Sequence, residues 1–273
     1  MRRFPRVFVI GIAASLLGGC PISWPPKPRP PAPVKTAAQP PVSSRNIYNK
    51  VINRPKALTQ EEKNLFLGAQ MQNNTGSQSM QEGNLNEAAN RFTNSLAIVD
   101  DYVLPMANLG RTYYLLGKFG LAKDYLDAAL ATTTRIEPNN VPLLTLLHID
   151  LGNLYRQSDQ MEQAQQEYYA ALQLTPDFPR AHFELGNLYL KQGQWESALE
   201  RFNRTLELDA SPDYDSARLG RAIAQHSLGR DLEAWQDILE LERRGYQVNE
   251  NLKNTVVESL RQQREAGQFR PGS

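Results

Sequence analysis

One cysteine, Cys20, in 273 residues leaves no intrachain disulfide possible, so this is not a small domain stapled by bridges. An excess of basic charge is missing as well. Lys and Arg number 30 against 29 Asp and Glu, a formal charge of +1. Nucleic-acid binding rests on a dense basic patch, so a nucleic-acid partner is excluded. The apolar run Val7 to Leu17 is 11 residues long, well short of the roughly 20 that a membrane-spanning helix needs. No G-x-S-x-G, H-E-x-x-H, Walker A or Rossmann glycine pattern occurs. The acid pairs Asp100-Asp101 and Asp213/Asp215 sit at predicted helix ends or turns, where carboxylates cap and solvate. A catalytic pair needs a cleft to separate its pKa values. The expectation is therefore a protein with no catalytic residue, no metal and no cofactor.

What is present is a repeat. Thr145 to Phe178 and Pro179 to Pro212 superimpose at a spacing of 34 residues. The two copies match at Leu151/Leu185, Gly152/Gly186, Asn153/Asn187, Tyr155/Tyr189, Ala164/Ala198 and Tyr168/Phe202. Each copy reads as two helices joined by a tight turn. Glycine inside a helix costs about 1 kcal/mol against alanine, so Gly152 and Gly186 predict close approach of another backbone. Ala164 and Ala198 are the small partners expected on the second helix, with Tyr155, Tyr189, Tyr168 and Phe202 filling the space beside them.

A 34-residue period of paired helices with these small and aromatic residues in register resembles the tetratricopeptide (TPR) repeat family. The resemblance implies an all-α, right-handed solenoid of about five helix-turn-helix repeats with a C-terminal capping helix, over residues 59–265. A capping box at Thr59/Glu62 should open it, and a short helix is expected near Ile47 to Ile52. A degenerate first unit has its first helix over about Ala69 to Met80, across the poor helix formers Asn73, Asn74, Gly76 and Ser77. Its second helix follows Gly83. A clearer unit spans Val103 to Thr134. Gly110 and Gly152 stand 42 residues apart, eight beyond the period, and Pro138, Asn139 and Asn140 place the excess in a loop. A last unit begins near Asp213, and Asn251 is expected to cap a final helix with Leu252, Val256, Val257 and Leu260 on one face. Residues 266–273 read as a disordered tail.

Before the repeats, residues 1–19 read as a secretion signal: Arg2, Arg3 and Arg6, then the apolar run. Leu17-Gly18-Gly19-Cys20 resembles a bacterial lipobox, which implies cleavage before Cys20, acylation of its thiol and a membrane anchor. Loss of the three arginines takes the formal charge from +1 to −2. Pro21 stands where enteric lipoproteins kept in the inner membrane usually carry Asp, so the resemblance implies the outer membrane, facing the periplasm. Residues 20–58 form the acylated cysteine and a tether. Pro21 to Pro41 holds nine prolines in 21 residues, an extended spacer reaching roughly 65 Å at about 3.1 Å per residue.

In TPR solenoids the first helix of each unit lines a groove that takes extended peptides or helices. The resemblance maps that groove onto Leu104, Ala107, Arg111 and Tyr114, then Leu146, Ile149, Asn153 and Arg156. Arg180, Phe183, Asn187 and Lys191 follow, and then Ala217 and Arg221. In the family an Asn at the place of Asn153 and Asn187 often hydrogen-bonds the ligand backbone; the alternative is that both bond within the solenoid. The mix of cations and apolar groups suits an acidic, hydrophobic peptide. His148 and His182 occupy equivalent slots roughly 10 Å apart, too far to share an ion, so they and His226 are expected to be packing or surface residues. The function implied is a scaffold or adaptor for envelope proteins. A pilotin-like assembly factor for a pilus or secretion secretin, and an adaptor for peptidoglycan enzymes or proteases, are its two more specific forms.

Overall fold

The computed structural model describes residues 46–266, which fall into two compact units divided between Pro138 and Asn139. The expected signal, Cys20, the tether before residue 46 and the tail from Gly267 lie outside the described residues. The first unit holds α1 (Ile47–Asn53), α2 (Gln60–Gln81), α3 (Leu85–Ile98), α4 (Val103–Leu115) and α5 (Phe119–Ile136). The second holds α6 (Val141–Gln157), α7 (Met161–Leu174), α8 (Pro179–Lys191) and α9 (Trp195–Leu208), followed by α10 (Asp215–Ser227), α11 (Asp231–Arg243) and α12 (Glu250–Glu265). Two short 3₁₀ turns, Pro55–Ala57 and Pro212–Tyr214, precede α2 and α10. Among the described residues there is no strand, and no helix is long and apolar enough to cross a membrane. Within each unit every helix from α2 onward packs on the next, and the first helices also touch one another.

The turns inside the helix pairs share one chemistry. Gly83, Gly117, Gly193 and Gly229 all have φ between 70° and 82°. The residue after each returns its N–H to a carbonyl five positions back: Asn84 to Ser79, Lys118 to Tyr113, Gln194 to Tyr189 and Arg230 to Gln225. This is the Schellman stop, which needs a left-handed residue and so favours glycine. The α6–α7 turn makes the same bond, Gln160 to Tyr155, with Asp159 in the glycine position at φ 60°. A side chain there is strained. Asp159→Gly should therefore raise the stability of the second unit by roughly 0.5–1 kcal/mol, read as a higher urea midpoint. The exposed Lys191–Asp159 ion pair at 2.8 Å would be lost, but such pairs contribute little. A lower midpoint would show that this ion pair outweighs the strain.

The mid-helix glycines are spaces for large side chains, three of them rings and one a leucine. A Cβ built on Gly152 would lie 2.5 Å from the Tyr168 ring, and one on Gly186 or Gly76 would lie 2.7 Å from Phe202 or Phe92. At Gly110 the intruding group is Leu126, again 2.7 Å away. Each partner stands 16 residues after its glycine, on the second helix of the same pair, and all four are essentially inaccessible to solvent. Phe202 is met a second time, from the following pair, by Gly220 at 2.5 Å. The alanines Ala88, Ala122, Ala164 and Ala198 are fully buried one turn before these four slots, and Ala234 stands likewise before the buried Ile238.

Three expectations are corrected. First, the helix expected over about Ala69 to Met80 is present, across Asn73, Asn74, Gly76 and Ser77, but it is the second part of a single 22-residue α2 that begins at Gln60. Its propensity is poor, but Gly76 makes room for Phe92, Asn73 is buried against Asn108, and the Ser77 hydroxyl bonds back to the Asn73 carbonyl at 3.0 Å. Packing overrides propensity here. Secondly, the eight-residue excess lies in helices, not in a loop. α5 has 18 residues against 14 in α7 and α9, and α6 has 17 against 13 in α8. Four residues are close to one helical turn, so each helix lengthens by a turn without losing phase. Thirdly, the cap of α12 is Asn249, which accepts from the Asn251 N–H at 2.8 Å. Of the expected α12 face, Val256 is buried, Leu252 and Leu260 pack beside it, and Val257 is only partly covered.

The Thr59/Glu62 capping box is present in both directions, at 3.1 and 2.9 Å. Lys50 reaches Glu62 at 2.6 Å; that ammonium, with the Thr59 amide, holds the Glu62 carboxyl below its usual range. The expected short helix is α1. Its first amides, those of Tyr48 and Asn49, donate to the buried Asp101 carboxylate at 3.0 and 3.1 Å. Tyr48 stacks near Phe66 and Tyr102, and its hydroxyl donates to Glu137. Burial and that carboxylate push the phenol well above its ordinary pKa. Asp101 thus serves as a helix cap supplied by another element.

Candidate functional site

The first helices of the second unit, α6, α8 and α10, carry most of the residues mapped to the groove. Counting from the glycines Gly152, Gly186 and Gly220, the next residue is Asn153, Asn187 or Arg221. These three share a slot but not a role. The Tyr168 hydroxyl donates to Asn153 Oδ1 at 2.7 Å, which commits that amide to the fold. One repeat later the ring slot is Phe202, which has no hydroxyl. Among the described residues the Asn187 side chain meets no hydrogen-bond partner, although only 8% of the residue is exposed. Arg221 is fastened to Asp237 by two short bonds, 2.7 and 2.6 Å, and to Asn203 on α9 at 3.1 Å.

The other mapped cations of this unit are paired too. Arg156 lies 3.6 Å from Glu184, and Lys191 lies 2.8 Å from Asp159. Arg180 is 3.8 Å from Asp150, whose side chain is nearly enclosed while Arg180 remains 42% exposed. Beside these pairs, Phe183 lies half-buried between the rings of Phe202 and Tyr214, 6.2 and 6.1 Å away, meeting Tyr214 edge-on. Burial raises the pKa of the Tyr214 phenol, with Asp209 adding to it. The face therefore presents neutralised charge around an aromatic patch and one unengaged amide.

Several mapped residues do not line it. Ile149 is fully buried with Ala171 and Ala181 beneath Leu172 and Phe178, so it offers no side-chain surface. Ala217 is fully buried, as is Ala107 in the first unit. Leu146 is half-buried. In the first unit, Arg111 Nη1 reaches Asn108 Oδ1 at 3.4 Å, and Asn108 Nδ2 reaches Asn73 Oδ1 at 3.1 Å. Tyr114 leans on Phe119 with ring centroids 5.9 Å apart, and Leu104 is 40% exposed.

Sequence mapping missed Asp150, Glu184, Tyr214 and Asp237. A signal existed for the first two: both stand two residues before the repeat glycine, 34 residues apart. The histidines are separate from one another. His148 Nδ1 bonds Glu167 at 2.7 Å, His182 bonds the Pro176 carbonyl at 2.9 Å, and His226 bonds Asp231. Among the described residues no three His, Cys, Asp or Glu side chains are grouped to hold a metal ion.

Family models for TPR and tetratricopeptide repeats match residues 106–132, 152–193 and 183–246. Comparison with curated proteins finds no match. Among solved structures, a study of Pseudomonas aeruginosa PilF has a TM-score of 0.60 at 20% identity, covering 77% of this chain and 95% of that one. BtubC from P. vanneervenii gives 0.59 at 15%, covering 76% and 90%. MamA from Desulfovibrio magneticus RS-1, residue 41 to its end, gives 0.52 at 19%, covering 65% and 96%. At these identities the likeness is one of fold: the described residues have the all-helical fold of TPR solenoid proteins.

Proposed function

We propose that the chain is a non-catalytic interaction scaffold whose α6–α8–α10 face binds an extended peptide or a helix of a partner protein. The observation carrying this is Asn187. A primary amide offers two donors and an acceptor. Asn153 commits its oxygen to Tyr168, whereas the Asn187 side chain bonds nothing among the described residues and neither of its polar atoms is sealed from solvent. It stands one turn from Phe183, so a ligand that bonds Asn187 through its backbone places an apolar side chain near Phe183 and Tyr214. Because Arg156, Lys191 and Arg221 are already paired with acids, the ligand is near-neutral rather than strongly acidic.

The scaffold is held by a lipid on Cys20 at the outer membrane, facing the periplasm, and its partners are envelope proteins. The lipobox-like Leu17-Gly18-Gly19-Cys20, the single cysteine and the proline-rich segment after it support this placement. Cross-linked pull-down from intact cells, with wild type beside Cys20→Ser, tests it. Envelope proteins captured only by the Cys20 form would support the anchor, and identical partners for both forms would overturn it. Capture of a secretin would mark a pilotin-like role, and capture of peptidoglycan enzymes or proteases an adaptor for them.

With a captured partner, Asn187→Ala should weaken binding about tenfold, the loss of roughly one backbone hydrogen bond, at nearly unchanged stability. Asn153→Ala should do the reverse, costing about 1 kcal/mol of stability by removing the acceptor of the Tyr168 O–H, which keeps only the contact it accepts from Arg156 at 3.4 Å. Isothermal titration and urea unfolding measure the two effects. Equal binding by wild type and Asn187→Ala would remove Asn187 from the site.

A further inference from the structure

The repeat supplies an internal comparison on a different surface of the second unit. His148 on α6 and His182 on α8 are equivalent, and so are Glu167 on α7 and Arg201 on α9. In the first pair the imidazole and carboxylate bond at 2.7 Å. In the second, an arginine that can only donate takes the place of the carboxylate. His182 Nε2 contacts the Pro176 carbonyl at 2.9 Å, and a carbonyl only accepts, so Nε2 carries the proton. Burial, helped by Arg201 and Arg204, lowers the pKa of His182 and keeps the ring neutral. Its Nδ1 is therefore an acceptor. His182 is 6% exposed, and neither Nδ1 nor the buried Arg201 Nε–H has a partner. An unmet buried polar atom costs about 1–3 kcal/mol.

Both residues line a hollow of about 420 Å³ completed by Glu200, Asn203, Arg204 and Glu207. Every lining side chain carries a polar group, and the carbon stems between those groups make up more than half of the wall. The two arginines and two glutamates cancel, which disfavours an ion. Arg204 is tied to Asp177 at 2.6 Å and Glu207 at 3.1 Å, whereas Arg201 rests 5.9 Å over the Tyr169 ring and 3.5 Å from the exposed Glu200. A hydroxyl group both donates and accepts, and so has the chemistry for an unmet acceptor and an unmet donor.

We propose that this hollow binds a neutral, hydroxyl-rich ligand, a sugar, with one hydroxyl donating to His182 Nδ1 and accepting from Arg201 Nε. Arg201 swings off Tyr169 to admit it, and Glu200, Asn203 and Glu207 take the remaining hydroxyls. The site lies on α8 and α9 and meets the peptide face only where Arg221 bonds Asn203.

The test is nuclear magnetic resonance of the ¹⁵N-histidine-labelled full chain, whose three histidines give three resolvable rings. Methyl glucoside and N-acetylglucosamine are the probes, with inorganic phosphate and N-acetylglycinamide as competing chemistries. The expected result is a saturable shift of the His182 Nδ1 resonance with a sugar, leaving His148 and His226 unmoved. Arg201→Glu restores the pairing seen at His148 and Glu167, so it should weaken sugar binding at least tenfold while raising the His182 pKa. Arg201→Gln, whose amide can donate to Nδ1, serves if that variant does not fold. A response to phosphate or the amide alone, or to none of the probes, would overturn the assignment, as would undiminished sugar binding by a folded Arg201 variant.

Discussion

Phe202→Ala is expected to lower the stability of the second unit by about 3–5 kcal/mol, the range for emptying a large aromatic site in a packed core. The ring is fully buried and held from two sides, by Gly186 of its own pair and Gly220 of the next. Gly220→Ala alone should cost about 1–3 kcal/mol, because its Cβ would sit 2.5 Å from a ring that cannot retreat toward Gly186. In the Phe202→Ala background the same change should become neutral or favourable, since alanine gains up to about 1 kcal/mol over glycine in a helix once the clash is gone. That change of sign is a coupling that contact lists alone do not give. Urea unfolding of the four proteins, followed by far-ultraviolet circular dichroism, measures it. Additive effects would mean that the two residues are not in contact in solution.

Asp237→Ala should cost a similar amount, about 3–5 kcal/mol, by the opposite mechanism. Its carboxylate is almost enclosed and receives Arg221 through two bonds and Arg218 at 3.3 Å. Arg218 is itself 13% exposed, with its Nε already unpartnered. Removing the acid leaves two guanidinium groups with little access to water. Replacing the charged set by apolar groups of similar volume, as in Asp237→Leu with Arg221→Met, should recover most of the loss, because the cost lies in the stranded charge. A penalty below about 1 kcal/mol for Asp237→Ala would show that both arginines swing out to solvent. The same comparison tests whether Arg221 is available to a ligand: in this structure it is a strut between α9, α10 and α11.

Much of the fold was legible because the period is strict where packing is strict. Gly152, Gly186, Tyr168 and Phe202 announced close approach correctly, although the partner proved to be a ring rather than the backbone beside Ala164 and Ala198. The Thr59/Glu62 cap was legible because its chemistry is local. The unbroken α2 was not, since its poor formers are held by Phe92 and Asn108, far along the chain. Nor was the place of the eight extra residues: Pro138 and two asparagines mark a loop, but nothing in them says how long the helices on either side run.

The site was less legible than the fold, for an electrostatic reason. Sequence period places Arg156, Lys191 and Arg221 on one face but not the acids that reach them from other helices or turns. Glu184, Asp159 and Asp237 turn apparent ligand-binding cations into internal ties. The distinction between Asn153 and Asn187 turned on a single oxygen, present in Tyr168 and absent in Phe202.

The shared ring at Phe202 bears on how such an array may be cut and rejoined. Sequence period draws a module boundary after Pro212, yet the ring belongs to both sides of that line. A chain severed there keeps the Gly186 wall and loses the Gly220 wall, leaving an aromatic face open to water. A pair transplanted from elsewhere must bring a glycine in the Gly220 position or a smaller group to meet Phe202. The exchangeable part is therefore the joint, from the glycine of one first helix to the glycine of the next, with the ring between them. Recombination at Gly186 and Gly220 conserves both walls of this ring, whereas recombination at the loop between α9 and α10 does not.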